Sequence, residues 1–420
     1  MKATFTPSHL AGEIFAPASK SDAHRLLICA ALADRPCLIE NIGTSDDIEA
    51  TRRCLVALGA QLEEKDGGLL VTPIKLQDPI PTLDCGQSGS TLRFLLPVAA
   101  ALYNESRFIA HGGLNRRPLD DLANAMKACG TTASDTHTPL ELIGKLQSGT
   151  FTIAGNVSSQ YISGLLFALP MLHGDSRIVL TTPLSSAGYV QMTLDALKRF
   201  CIQVEQTKDG WLIQGDQTYR APERLFAEGD WSGAAFPLCA GALMGPVTVK
   251  GLNENSLQRD KKIAEILVQF GTKVEFDSNT CTVCHGELHG IELDADDIPD
   301  LVPPIALVAG CAEGTTHIRN CARLRIKESD RLMTVQTTLC AFGIEAEIEG
   351  DDLIIHGGTP HGAKIESFDD HRIAMMGAIL AAVADGQTTL ESPMAVTKSY
   401  PAFYDDYKEL GGMVHDIDLR

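Results

Sequence analysis

Two separate sets of markers recur along this chain at steps close to seventy residues, and this regularity restricts the fold more than any other feature. Six segments end a polar–apolar helical pattern with a short turn and an alternating strand pattern: LVALGAQLE, AMKACGTTA, ALKRFCIQVE, ILVQFGTKVE, LCAFGIEAE and YKELGGMVH. Their turn residues, Gly59, Gly130, Cys201, Gly271, Gly343 and Gly411, stand 71, 71, 70, 72 and 68 apart by subtraction of their numbers. A second set consists of polar openings that lead into wholly apolar helices. These are SKSDAHRLLICAALA, SGSTLRFLLPVAAAL, SSQYISGLLFALPML, DWSGAAFPLCAGALM, IPDLVPPIALVAGCA and DDHRIAMMGAILAAVA. Ser21, Ser90, Gln160, Ser232, Asp300 and His371 mark them, at steps of 69, 70, 72, 68 and 71. Two markers keeping one beat predict six copies of one unit.

Each copy reads as a buried helix, a strand, a polar loop, an amphipathic helix and one or two closing strands, a mixed α/β (α+β) class. A helix apolar all round belongs inside a core, whereas an amphipathic one borders solvent. Pro97, Pro170, Pro237, Pro303 and Pro304 predict kinks or late starts in the buried helices. The sixth copy has only nine residues after Gly411, and the first 17 residues could supply its missing strand. The expected division is a domain of residues 18–227 and a discontinuous one of 1–17 plus 228–420.

A formal net charge of −19 argues against a nucleic acid or an anionic membrane as partner. It also makes local clusters of cations conspicuous. No secretory signal is legible at the N-terminus, and apolar runs such as IAMMGAILAAVA are shorter than the roughly 18–20 residues a bilayer requires. Twelve scattered cysteines, several within apolar runs, suit reduced thiols, so the expected location is the cytoplasm.

The stretch ASKSDAHR places Lys20, His24 and Arg25 at the start of a helix, with Ser19 or Ser21 as the expected N-cap and only Asp22 in opposition. Helix N-termini favour anions, so the cations and the helix ends point to a shared anionic ligand. Gly89-Ser90, Ser158-Ser159-Gln160 and His371-Arg372 open other copies at the same place. The loops add Arg117 in GGLNRRP, Lys327, Glu328 and Arg331 in LRIKESDR, and Lys398 in VTKSYP. Taken singly, these could be helix caps or exposed ion pairs; the repeat expects them in one cleft between two halves. CTVCH at 281–285 resembles a haem-attachment pattern, and with His289 its residues could hold zinc, but it occupies a closing-strand slot. ELDADDIPD lacks the glycine and terminal glutamate of a calcium loop.

PASKSDAHR, GQSGSTLR, LNRRP, VSSQY, EGDWS, IPD, RIKESDR, DDHR and TKSYP, in this order, resemble the 5-enolpyruvylshikimate-3-phosphate synthase family over essentially the whole chain. The resemblance implies two domains of three βαβαββ repeats each, with buried-helix N-termini facing the interdomain cleft. It implies transfer of the enolpyruvyl group of phosphoenolpyruvate (PEP) to the 5-hydroxyl of shikimate 3-phosphate, with release of phosphate, on the route to chorismate and aromatic amino acids. No metal or organic cofactor is implied, glyphosate would compete with PEP, and a monomer is expected. Lys20, Gly89, Arg117, Gln160, Arg331, Arg372 and Lys398 would bind PEP. Lys20, Ser21, Arg25, Ser158, Ser159, Gln160, Ser186, Tyr189, Asp300 and Lys327 would hold shikimate 3-phosphate. Asp300 would take the proton of the 5-hydroxyl, Glu328 would handle the proton at the methylene carbon, and Lys20 would assist. Arg323 stands where the family often has Asn, and it is left outside the site. The UDP-N-acetylglucosamine enolpyruvyl transferases share fold and chemistry, but they normally carry Cys or Asp in the loop that here reads HGGLNRRP. A non-catalytic polyanion binder would keep the cations without needing Asp300 and Glu328.

Overall fold

A computed structural model describes residues 1–78, 80–117 and 119–417. Pro118 of LNRRP and residues 418–420 of the expected discontinuous domain lie outside the described residues. The chain divides into two compact units, Lys20–Ala227 and Met1–Ser19 with Glu228–Arg420.

The described residues form six four-stranded sheets, three in each unit. The second copy shows the plan. Thr82–Asp84 runs parallel to Glu105–Ile109, and the buried helix Gly89–Leu102 crosses between them. The amphipathic helix Asp120–Lys127 leads to Thr132–Ala133 and Leu140–Ile143, an antiparallel pair whose second strand closes on Glu105–Ile109. The unit is thus βαβαββ, as the family resemblance implied, with a strand ahead of the buried helix that the periodic pattern alone did not separate.

In both units the ends of the segment complete the first or last copy. Arg224–Phe226, at the end of the continuous unit, pairs in parallel with Cys37–Glu40 of its first copy. In the discontinuous unit, Lys2–Thr6 pairs with Thr388–Glu391 and Met413–His415 and completes the sixth copy. Gly12–Phe15 pairs with Val247–Lys250 and supplies the fourth copy with its first strand. The N-terminal residues therefore complete two copies rather than one.

All six turn residues marked by the repeat adopt positive φ, from 62° at Cys201 to 105° at Gly271. This left-handed residue ends an amphipathic helix and turns the chain into the next strand, a place where glycine pays no Cβ penalty. Cys201 occupies the same conformation with a side chain.

The prolines act in three ways. Pro97 and Pro237 lie within continuous helices, Gly89–Leu102 and Trp231–Leu243. Pro303 and Pro304 occupy the first turn of Val302–Ala309, where a missing N–H costs no helical bond. Pro170 lies in a 3-10 turn that ends the helix Ser159–Ala168 early.

Each unit has its own apolar core, built on three buried helices. Leu95, Ile162 and Leu165 have no exposed surface in one unit, nor Leu238, Ile305 and Leu380 in the other. Full burial of such a side chain contributes about 1.5–3 kcal/mol. The Gly89–Leu102 and Ser159–Ala168 helices approach so closely that a Cβ at Gly164 would lie 2.3 Å from the carbonyl oxygen of Arg93. No helix among the described residues is long and apolar enough to cross a membrane.

Candidate active site

In the continuous unit, hydrogen bonds tie together the N-terminal ends of the three buried helices. Lys20 opens Lys20–Ala31, and its Nζ donates to Asp47 Oδ2 at 2.7 Å. Asp47, in the amphipathic helix Asp46–Ala57, thus adds a counter-charge from outside the helix to that of Asp22. The Asp47 backbone oxygen faces Thr91 Oγ1 of the second buried helix at 3.4 Å. Gln160, from the third, donates to Ser90 Oγ at 2.9 Å and accepts from Arg93 Nη1 at 2.7 Å.

His24, between Lys20 and Arg25, is buried and neutral. Desolvation, then the charges of Lys20 and Arg25, hold its imidazole well below the usual range. Its Nδ1 lies 2.8 Å from Thr51 Oγ1, which lies 2.6 Å from Thr91 Oγ1. Thr91 Oγ1 also lies 2.7 Å from Ser88 Oγ, so His24, Thr51, Thr91 and Ser88 form one buried hydrogen-bonded chain. Ser88 also accepts from the Thr91 N–H at 3.2 Å and caps the helix that Gly89 begins.

A Cβ on Gly89 would lie 3.0 Å from Arg93 Nη1 and 3.2 Å from Arg117 Nη1, so two guanidinium groups converge beside this residue. Arg25 is buried over the Phe94 ring and donates to Thr193 Oγ1 and to the carbonyls of Ser21 and Tyr189 at 2.9, 2.6 and 2.8 Å. Burial lowers its pKa to about 10, so it keeps its charge at neutral pH. Ser158 stands at the N-cap of Ser159–Ala168 without a side-chain cap bond, which removes the simple capping explanation for it. Ser186 precedes Ala187–Arg199 in a left-handed conformation, φ 53°. The first buried helix starts at Lys20, so Ser21 lies inside its first turn and is not the N-cap.

The discontinuous unit gathers carboxylates and cations around Arg331, which has no exposed surface. Its Nε donates to Asp370 Oδ2 at 2.9 Å, Nη2 to Asp370 Oδ1 at 3.1 Å and Glu328 Oε2 at 2.5 Å, and Nη1 to Asp300 Oδ1 at 2.9 Å. Four of its five N–H groups are therefore committed to carboxylates. Lys327 Nζ lies 3.1 Å from Asp300 Oδ1, and Arg372 Nη2 lies 3.3 Å from Asp300 Oδ2 while Nη1 donates to the Asp300 carbonyl at 3.0 Å. Asp300 sits in the turn Pro299–Leu301 ahead of a buried helix whose N-cap position is held by Leu301.

Burial alone would raise the pKa of Asp300. The charges of Arg372, Lys327 and Arg331 outweigh burial and hold it well below the carboxylate range. Lys327 is lowered by burial, against the pull of Asp300 and with Arg331 and Arg323 adding repulsion. Arg323, set aside on the sequence alone, thus has its charge within reach of this cluster. Within LRIKESDR, Lys327, Glu328 and Arg331 turn their charges into this cluster, while Ile326 and Asp330 stay exposed. Lys398 ends the turn Pro393–Lys398, and among the described residues no hydrogen bond or ion pair links it to this cluster.

A sequence model of the EPSP synthase family, 3-phosphoshikimate 1-carboxyvinyltransferase, matches residues 5–407. The chain belongs to the EPSP synthase family. Relatives named 3-phosphoshikimate 1-carboxyvinyltransferase include those of Clostridium acetobutylicum, 43% identical over 424 residues, and Clostridioides difficile, 39% identical over 429 residues; each match covers 98% of both chains. An EPSP synthase structure from Acinetobacter baumannii shares the fold with a TM-score of 0.83 at 23% identity, covering 99% of this chain and 100% of that one. The enolpyruvyl transferase NikO from Streptomyces tendae gives 0.77 at 20% identity, covering 99% of this chain and 98% of that one.

Against this EPSP synthase frame, the sequence reading passed over Arg93, Asp47 and Asp370. Arg93 and Asp370 lie inside quoted motifs, GSTLR and DDHR, four residues after Gly89 and one before His371, so the signal was present. Asp47 had none, because its partner Lys20 is distant in sequence. The Cys281–His285 run forms no cluster of ligand atoms. Cys281 faces the core, and His285 Nδ1 pairs with the Ala242 carbonyl at 2.8 Å. Among the described residues the one group of potential metal ligands within 4.8 Å of one another is Glu345, Glu347 and His356, at an exposed sheet surface.

Proposed function

We propose that this chain transfers the enolpyruvyl group of PEP to the 5-hydroxyl of shikimate 3-phosphate, with residues of both units serving one pair of ligands. The observation that carries the assignment of roles is the grip of Lys327, Arg331 and Arg372 on Asp300 beside Glu328. A carboxylate held ionised by three cations is a weak base. A phosphate or carboxylate of the substrates competes for the same cations, loosens their hold and raises the basicity of Asp300 when a hydroxyl is present to be deprotonated. Glu328, on the other side of Arg331, is the second carboxyl and serves the methylene carbon of PEP. Addition across that double bond needs a proton removed at oxygen and one delivered at carbon, which two carboxyls can divide.

Arg331 has one N–H left on Nη1 to offer PEP without breaking a bond, so its larger role is to order Asp300, Glu328 and Asp370. In the other unit Lys20, Arg93 and Arg117 supply charge beside the N-terminus of the Gly89 helix, suited to an anionic ligand. Arg25, Ser21, Ser158, Ser159, Gln160, Ser186 and Tyr189 hold shikimate 3-phosphate, and Lys398 contributes charge to the PEP site.

The test is phosphate release. The protein should release phosphate from PEP with shikimate 3-phosphate and not with UDP-N-acetylglucosamine. Release only with the sugar nucleotide would replace this substrate assignment, and none with either would make the chain a binder.

A further inference from the structure

The turn Arg259–Lys262 packs on the helix Trp231–Leu243, as the Asp300 turn Pro299–Leu301 does, and it carries a carboxylate that no cation bonds among the described residues. Asp260, in the turn Arg259–Lys262, is 2% exposed. Its Oδ2 accepts a short hydrogen bond from Ser232 Oγ, in the first turn of the helix Trp231–Leu243. Its Oδ1 is buried without a hydrogen-bond partner. Asp230, the N-cap of that helix, accepts the Ser232 N–H at 3.0 Å and brings another carboxylate to the same place. Asp300, Glu328 and Asp370 each pair with at least one of Lys327, Arg331 and Arg372. Asp260 is left with a neutral hydroxyl.

We propose that Asp260 is a positioning residue whose ionisation makes Asp300 a stronger base. A buried carboxylate without a cation binds a proton readily. Burial, then the negative charge of Asp300, pushes Asp260 up to about 6, against the pull of Arg372 and the Ser232 hydrogen bond, with Asp230 adding to the push. These groups face Asp260 from the Trp231 helix start, the Pro299–Leu301 turn and the His371–Val383 helix. Arg259, Lys261 and Lys262 lie on its own turn, and Lys261 Nζ donates to the Glu254 carbonyl. Coupling between two titrating sites is reciprocal. If charge on Asp300 favours a proton on Asp260, charge on Asp260 favours a proton on Asp300 and draws on Arg372. Below pH 6 Asp260 is neutral and Asp300 is a weaker acceptor. Above pH 6 Asp260 is charged and Asp300 accepts the hydroxyl proton more readily.

The inference rests on the role given to Asp300, and the experiment separates the two. Turnover with PEP and shikimate 3-phosphate is measured from pH 5 to 8.5 for wild type, Asp260→Asn, Ser232→Ala and Asp300→Asn. Carbon-13 NMR follows the Asp260 carboxyl in ligand-free wild type. Substrate phosphates also titrate near pH 6, so the ratio of wild type to variant is what decides. Asp260→Asn keeps an acceptor for Ser232 but cannot ionise. Its turnover should match wild type near pH 5 and fall behind by roughly up to tenfold at pH 7.5, the effect of about one unit in the basicity of Asp300. Ser232→Ala removes a bond that favours the charged form and should move the rise to higher pH. The carboxyl should titrate near pH 6. A ratio constant across pH, or a carboxyl that titrates near 4, overturns the proposal. Full turnover in Asp300→Asn overturns the role of Asp300 itself; reduced turnover there with a constant Asp260→Asn ratio overturns the tuning role alone.

Discussion

At Asp300, three cations serve one carboxylate, so replacing it by Asn should change chemistry and anion affinity in opposite directions. Asp300→Asn removes a proton acceptor and should lower kcat by about 10²- to 10⁴-fold. It also frees Lys327 and Arg372 from their anion and releases one N–H of Arg331, so the KM for PEP should stay the same or fall. Intact turnover would reduce Asp300 to an ion-pair partner. Gly89 makes a second case at this scale. An alanine methyl there would press on the Arg93 and Arg117 guanidinium ends, which are flexible enough to yield by a few tenths of an ångström. Glyphosate, slightly longer than PEP, would feel the same methyl more, and such crowding costs about 1–3 kcal/mol. Wild type is expected to be glyphosate-sensitive. Gly89→Ala should raise the inhibition constant more than the KM for PEP, and equal shifts in both would place Gly89 away from the inhibitor.

Among the elements, the helix Lys20–Ala31 shows how a polar start is made compatible with a core. Asp47 balances Lys20, His24 stays neutral, and Arg25 spends its donors on two carbonyls and a hydroxyl. The neutrality of His24 has a consequence for stability. The unfolded chain protonates this histidine below about pH 6.5, whereas the folded one resists, because burial and its cationic neighbours lower its pKa. The contribution of His24 is therefore complete above pH 6.5 and is lost progressively as pH falls toward the folded value. His24→Asn keeps a polar side chain able to hydrogen-bond Thr51 but does not titrate. Urea midpoints of wild type and variant should differ most at pH 7.5 and converge toward pH 5. A difference that stays constant over this range would mean that His24 is not held neutral.

On the scale of the molecule, the proposed site residues are divided. Lys20, Gly89, Arg117 and Gln160 belong to one compact unit, and Asp300, Glu328, Arg331 and Arg372 to the other. Only the chain near Ser19 and Ala227 connects them covalently. Under the proposed assignment, a dianionic ligand takes contacts from both sets and offsets repulsion among their cations. Shikimate 3-phosphate should therefore reduce the radius of gyration measured by small-angle X-ray scattering. An unchanged value at saturating ligand would argue that one unit binds it alone.

The sequence by itself determined the six-fold repeat, because helix and strand periods and a left-handed turn residue are local properties that repeat with the unit. It determined the apolar helices as core and the cationic motifs as candidates for anion binding, since residue type and period carry that information. Strand partners distant in sequence escaped it. Nothing local in Arg224–Phe226 or Gly12–Phe15 says that each supplies the first strand of a remote sheet, because pairing is chosen by which edge is left open. The counter-charges escaped for the same reason. Asp47 on Lys20, Asp370 on Arg331 and the cation-free Asp260 are defined by hydrogen bonds across 27 to 39 residues or by their absence. Only the tertiary structure decides which carboxylate is held firmly ionised and which binds a proton more readily, because burial and neighbouring charge, not residue type, set that balance.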